Sequence, residues 1–124
     1  MPITSHIDKA KDVTVFKVTN VLTFDALSSV VNTFYSGDPT KHVLWDMIDT
    51  TDVRLTSAEV KAIANLRSRY EGKRASGKTA IVVKKDLHFG LSRMFELESS
   101  VQQVPFPIMV YRSIEKAYKW LEEP

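Results

Sequence analysis

Two adjacent hydroxyl residues, Thr56 and Ser57, stand where a helix is predicted to begin, and phosphorylation of a hydroxyl at a helix start changes a protein surface. The run Thr56-Ser57-Ala58-Glu59 has the pattern of a capping box, in which the threonine hydroxyl and the glutamate carboxylate each accept a free backbone N–H group. Phosphorylation would add about 1.5 to 2 negative charges, which the helix dipole and its free N–H groups accommodate. Two interpretations follow: Thr56 is a structural cap, or Thr56 or Ser57 is a switch.

Three aspartates, Asp46, Asp49 and Asp52, lie near the carboxyl end of a predicted strand, at the edge where ligands of open α/β sheets bind. Three carboxylates suit Mg²⁺, but a phosphoreceiver-type site also needs a lysine at a distant strand end, and the last predicted strand is followed by Arg112 instead. Asp46 is expected to bond to loop backbone, and Asp49 and Asp52 are common turn residues. We therefore predict no metal site and assign Asp49, Asp52 and Arg54 to a candidate partner or ligand surface.

A second group, Phe89, Gly90 and Arg93, opens another predicted helix. Gly90 lets a backbone or a ligand approach closely, and Arg93 offers a bidentate contact to an anion. The structural alternative is that Gly90 packs the helix against the sheet while Arg93 pairs with Asp86 or Glu96. This group joins the candidate partner or ligand surface, although the chain has no glycine-rich phosphate-binding motif.

The remaining chemistry-bearing residues do not form a catalytic pattern. His6, His42 and His88 lack metal-ligand spacing, no serine stands in a nucleophile motif, and the chain has no cysteine. We therefore predict no catalytic residues, no metal and no cofactor, and rank an enzyme last among the functions considered.

Composition places the chain among ordinary soluble domains. Its 124 residues, 44% of them hydrophobic and 26% charged, suit a single domain spanning residues 1–124. No apolar run approaches the ~20 residues of a membrane span, and residues 1–6 do not form a signal peptide. The absence of cysteine fits the cytoplasm, and a net charge of +2 does not favour nucleic acid. Basic residues concentrate between Lys61 and Lys85, without the aromatic residues that stack on bases.

Strands and helices alternate along the chain. Residues 13–18 alternate apolar with polar side chains, as in a half-buried strand, and Thr23 is a candidate helix cap. Residues 49–54 are predicted to be a polar loop. Strands are predicted near residues 3–7, 13–18, 42–48, 78–83 and 108–111, with helices beginning near residues 23, 56, 87 and 113. Such alternation predicts parallel strands joined by helical crossovers, with an antiparallel N-terminal strand at one edge.

Three segments carry a family resemblance: Val43–Asp46, Phe89–Met94 and Ala117–Leu121. Their order and spacing resemble the SpoIIAA-like family of small bacterial proteins, which are STAS-like and also described as CRAL-TRIO-like. The resemblance implies a STAS-like α/β fold, with a mostly parallel sheet of about four to five strands, alternating helices and an antiparallel N-terminal edge strand. It covers nearly the whole chain.

The resemblance also implies a function. Anti-sigma-factor antagonists bind a kinase partner and are switched by phosphorylation of a serine at the helix start that corresponds to residues 52–57 here. The Asp-Ser-Ser-Gly context of that serine is absent from this chain. We therefore favour a non-catalytic, cytoplasmic regulatory module that binds a protein partner, with Thr56 and Ser57 as the candidate switch residues. The alternative is a small-molecule-binding protein for an anionic or lipid-like ligand, and a homodimer formed through a sheet edge is a further hypothesis.

Overall fold

A computed structural model describes residues 2–68, 77–84 and 108–123 of the chain. Within these ranges the chain forms seven strands and three helices. In chain order they are β1 (Ile3–Asp8), β2 (Val13–Val18), β3 (Asn20–Thr23), α1 (Phe24–Ser36), β4 (His42–Asp46), β5 (Thr50–Arg54), α2 (Ser57–Ser68), β6 (Thr79–Val82), β7 (Ile108–Tyr111) and α3 (Ile114–Glu122). The helix predicted to begin near residue 87 lies outside the described residues.

The main sheet has five strands in the order β1-β2-β4-β6-β7. β1 pairs antiparallel with β2, whereas the pairs β2–β4, β4–β6 and β6–β7 are all parallel. The predicted fold class is therefore confirmed, including the antiparallel N-terminal edge strand. Because these four strands run in the same direction, the carboxyl ends of β2, β4, β6 and β7 all lie at one edge of the sheet.

Each face of the main sheet buries its own apolar cluster because successive side chains of a strand point to opposite faces. In β4, Val43 faces the cluster against which α1 packs, and Leu44 faces the cluster that includes Ala117 and Leu121 of α3. Leu44 and Leu121 are almost completely buried. Full burial of one such side chain stabilises the fold by about 1.5–3 kcal/mol.

The loop predicted at residues 49–54 is wrong, because residues 50–54 form β5. This strand pairs in parallel with β3 as a separate two-stranded sheet, in which Leu22 lies opposite Val53. Thr50 is buried, and its hydroxyl donates to the carbonyl of Val18 at 3.0 Å. The small sheet therefore continues from the carboxyl edge of the main sheet, with β3 following β2 and β5 following β4.

The caps predicted at Thr23 and Thr56 are confirmed, and the structure adds a third at Ser113. Thr23 accepts the N–H of Ala26 at 3.3 Å, and Ser113 accepts the N–H of Lys116 at 3.4 Å. At α2, Thr56 forms the capping box that the sequence predicts. Each cap satisfies an N–H group that has no partner within its own helix.

At the opposite edge of the main sheet, polar side chains join the strand starts to α3. The buried His42 accepts the backbone N–H of Lys78 at its Nδ1 atom, at 3.1 Å. The Lys78 ammonium donates to the carbonyls of Trp120 (2.8 Å) and Glu123 (2.5 Å), and it lies 5.2 Å from the centre of the Trp120 ring system. Lys78 thus caps the C-terminal end of α3, where the helix dipole favours a cation.

Candidate functional site

The small sheet positions two helix starts side by side. In the β3–β5 register, Thr23 lies opposite Arg54, so the two strands end together. α1 begins at Phe24, directly after Thr23, and α2 begins at Ser57, three residues after Arg54. Both helix N-termini consequently emerge from the same end of the small sheet, beyond the carboxyl edge of the main sheet. The sequence predicted that the α2 start lies at this edge beside the start near Phe89, and it indicated neither β3 nor β5.

The capping box at the start of α2 distinguishes Thr56 from Ser57. The N–H of Thr56 donates to Glu59 Oε1 at 2.9 Å, and the N–H of Glu59 donates to Thr56 Oγ1 at 3.1 Å. The structural interpretation of Thr56 is therefore confirmed. Ser57 is exposed, is the first residue of the helix, and contributes no side-chain atom to the box. A chemical group attached to the Ser57 hydroxyl would leave both bonds of the box in place.

The charged residues of the predicted surface take part in exposed ion pairs. Arg54 Nε lies 3.1 Å from Asp52 Oδ2, and Asp49 Oδ2 lies 3.3 Å from Lys17 Nζ. The Arg54 side chain is 70% exposed. Pairs of this exposure contribute at most about 1 kcal/mol to stability, so Arg54 can exchange Asp52 for another anion at little cost.

The three aspartates of the sequence pattern have separate structural roles. Asp46 Oδ1 accepts the backbone N–H of Ile48 at 3.1 Å, which confirms the predicted bond to loop backbone. β4 ends at Asp46, two residues earlier than predicted. Asp49 and Asp52 instead face Lys17 and Arg54. In the part of the chain that the structure describes, no group of three acidic or histidine side chains is placed to hold a metal ion.

The second predicted group, Phe89, Gly90 and Arg93, lies outside the described residues. Its proximity to Thr56 and Ser57 therefore stays a prediction. The described candidate surface consists of residues 49–57, which lead from β5 into α2, together with Thr23 and Phe24 at the adjacent start of α1. We call this set the helix-start surface.

A second polar cluster, which sequence analysis missed, holds α3 against the β1–β2 turn. Lys11 Nζ lies 3.1 Å from Glu122 Oε1 and 4.7 Å from the centre of the Tyr118 ring. The bond and the charge of Glu122 raise the pKa of Lys11. Burial raises the pKa of Tyr118, while the Lys11 ammonium opposes that rise. Because Lys11 and Glu122 stand at opposite ends of the chain, no local sequence pattern signals their contact.

The architecture, a five-stranded and mostly parallel sheet with an antiparallel edge strand and helices on both faces, is the SpoIIAA-like, or STAS-like, fold. Solved structures agree with this assignment. The chain is similar to an uncharacterised DUF3478-family protein with a SpoIIAA-like fold from Shewanella loihica, with 16% identity, a TM-score of 0.59, and coverage of 96% of this chain and 93% of that one. It is also similar to an anti-sigma factor antagonist from Mycobacterium paratuberculosis, with 15% identity, a TM-score of 0.61, and coverage of 98% and 95%.

Sequence comparisons add nothing to this structural likeness. No family model matches the chain, and no curated protein matches it. At 15–16% identity the likeness to solved structures establishes the fold alone. None of the helices in the described ranges is long and apolar enough to cross a bilayer.

Proposed function

We propose that this chain is a non-catalytic, cytoplasmic regulatory module, a single domain that binds a protein partner through the helix-start surface. The observation that carries the proposal is the β3–β5 sheet, which presents the starts of α1 and α2 together. The caps take up the N–H groups of Ala26 and Glu59, and the other first-turn N–H groups of these two neighbouring helices are the donors that the surface offers to a partner. One structural neighbour is an anti-sigma factor antagonist, which supports a regulatory role for this fold.

Within this surface, Ser57 is better placed than Thr56 to be a phosphorylation switch. The Thr56 oxygen already accepts the N–H of Glu59, whereas the Ser57 hydroxyl is exposed and outside the box. A phosphate on Ser57 would sit in the first turn of α2, where the dipole favours negative charge. The weakly paired Arg54 lies three residues before it and can form charge-assisted hydrogen bonds to phosphate.

The binding proposal is tested with a photo-crosslinking amino acid placed at position 57 in the native host. Ser29, an exposed serine in the middle of α1, provides the matched control position. We expect a discrete protein adduct from position 57 that is absent from position 29. The same adducts from both positions, or none from position 57 at full expression of the folded chain, would contradict the proposal.

The switch is tested by native mass spectrometry of the chain purified from its host, followed by peptide mapping. A phosphorylated fraction that disappears in Ser57→Ala and persists in Thr56→Ala is the expected result. Phosphate that follows Thr56, or no phosphate in any growth condition, would leave the surface without this switch. A non-covalent mass that leaves on activation would instead favour the alternative function, an anionic or lipid-like ligand carrier with Arg93 at the ligand head group.

A further inference from the structure

β1 forms one edge of the main sheet and has β2 as its only neighbour among the described strands. Its six residues pair with β2 in an uninterrupted register, without a bulge. The strand contains no lysine and no proline, the residues with which proteins commonly protect an edge from pairing. Ile7 of this strand is 58% exposed and is the one large exposed hydrophobic side chain in the described part of the chain.

The hydrogen-bond phase of the β1–β2 ladder determines which backbone groups of β1 lack a strand neighbour. The N–H of Thr19 donates to the carbonyl of Pro2 at 2.8 Å. Because bonded and non-bonded pairs alternate in an antiparallel ladder, the backbone groups of Thr4 and His6 also face β2. The N–H and carbonyl groups of Ile3, Ser5 and Ile7 therefore point outward from the sheet.

We propose that this edge pairs with the β1 edge of a second copy of the chain, antiparallel and about a two-fold axis at Ser5. In this register Ser5 lies opposite the partner's Ser5, and Ile3 lies opposite the partner's Ile7. The three outward N–H groups of each copy then bond to outward carbonyls of the other, giving about six inter-chain hydrogen bonds. A two-fold axis at Ile3 or at Ile7 would leave outward groups without a β1 partner.

The side chains of β1 match this register. Ile7 shares a sheet face with Ile3, since Ile3, Ser5 and Ile7 lie opposite Val18, Phe16 and Thr14 in β2. The exposed Ile7 therefore packs against the partner's Ile3 at the rim of the core. On the other face Thr4 lies opposite the partner's His6, so no pair of like charges is opposed along the strand. Self-complementarity in bonds and side chains favours a second copy over an unrelated strand.

The test is the dependence of the sedimentation coefficient on protein concentration, up to about 1 mM, which covers weak transient interfaces. We expect reversible dimers. Ser5→Pro removes an N–H that points away from β2, so the variant keeps every bond of its own ladder, as proline does on natural edge strands. Ser5→Pro should weaken association about tenfold or more. The dimer contains two copies of position 5, so this one substitution removes two inter-chain hydrogen bonds. Ser5→Ala retains the N–H group and should associate like the parent chain.

A cysteine scan tests the register, and the chain has no native cysteine to interfere. Residues in a hydrogen-bonded antiparallel pair have Cα atoms about 5.5 Å apart, within the range of a disulfide. Ser5→Cys should therefore form a disulfide-linked dimer on mild oxidation. Thr4→Cys should not, because the two copies of position 4 are offset by two residues along the strands. A parent chain that stays monomeric throughout, a dimer unaffected by Ser5→Pro, or equal cross-linking at both positions would overturn the proposal.

Discussion

Replacing Thr56 with alanine separates the capping function of this residue from any signalling function. The substitution removes the oxygen that accepts the N–H of Glu59 at 3.1 Å, and it leaves the 2.9 Å bond from the Thr56 N–H to the Glu59 carboxylate. Loss of such a cap costs about 1 kcal/mol, within a range of about 0.5–2 kcal/mol. For a chain of 124 residues this corresponds to a fall in melting temperature of roughly 4 °C.

The measurement is urea unfolding followed by circular dichroism, with Thr56→Ser and Ser57→Ala as controls. Thr56→Ser keeps a hydroxyl acceptor and should stay within a few tenths of a kcal/mol of the parent chain. Ser57→Ala should also be close to neutral, because the Ser57 side chain is exposed and outside the box. A loss below about 0.3 kcal/mol in Thr56→Ala, or an equal loss in Ser57→Ala, would refute this account of the helix start.

Three further predictions concern the rest of the fold. Asn20 has a φ of 61°, so Asn20→Val should destabilise the chain by about 1–2 kcal/mol in urea unfolding, whereas Asn20→Gly should change stability by only a few tenths. Lys78→Met keeps the aliphatic stem but loses the bonds to the end of α3, so amide exchange in α3 should accelerate, and unchanged exchange would refute the capping role. Lys11→Met should raise the pKa of Tyr118 further in an ultraviolet titration, with Tyr118→Phe identifying the signal. In the parent chain the pKa values of Lys11 and Tyr118 are both raised on folding. The stability that these two groups contribute is therefore complete below about pH 10, and it is lost as the pH rises through their folded-state pKa values.

Sequence alone predicted the elements whose signals are local. The alternation in residues 13–18 predicted the residue bounds of β2, and the hydroxyls of Thr23 and Thr56 each marked a helix start. A cap is predicted reliably because it depends on residues within one turn. The predicted half-burial of residues 13–18 is wrong, because β2 lies between two apolar clusters and Thr14 is buried as well. The order of the elements, together with the family resemblance, then led to the correct fold class.

β5 was missed because its strand character is not local. Its sequence, Thr-Thr-Asp-Val-Arg, is polar and has no alternating apolar face. It is extended because β3, some 30 residues earlier in the chain, supplies its only strand partner among the described residues. The buried position of Thr50 likewise depends on the carbonyl of Val18. Side-chain pattern carries no information on such a pairing, so the loop prediction followed the composition and failed.

The small sheet also explains how two interaction surfaces can coexist on so short a chain. The helix-start surface lies at the end of β3 and β5, whereas the proposed dimer edge is β1, and the two share no residue. Substitutions at well-separated sites without shared partners act independently. Ser5→Pro should therefore weaken dimer formation without changing the crosslinking pattern from position 57, and Ser57→Glu should leave the sedimentation behaviour unchanged. A crosslinking pattern from position 57 that changes in Ser5→Pro would mean that the partner recognises the dimer, because Ser5 is no part of the helix-start surface.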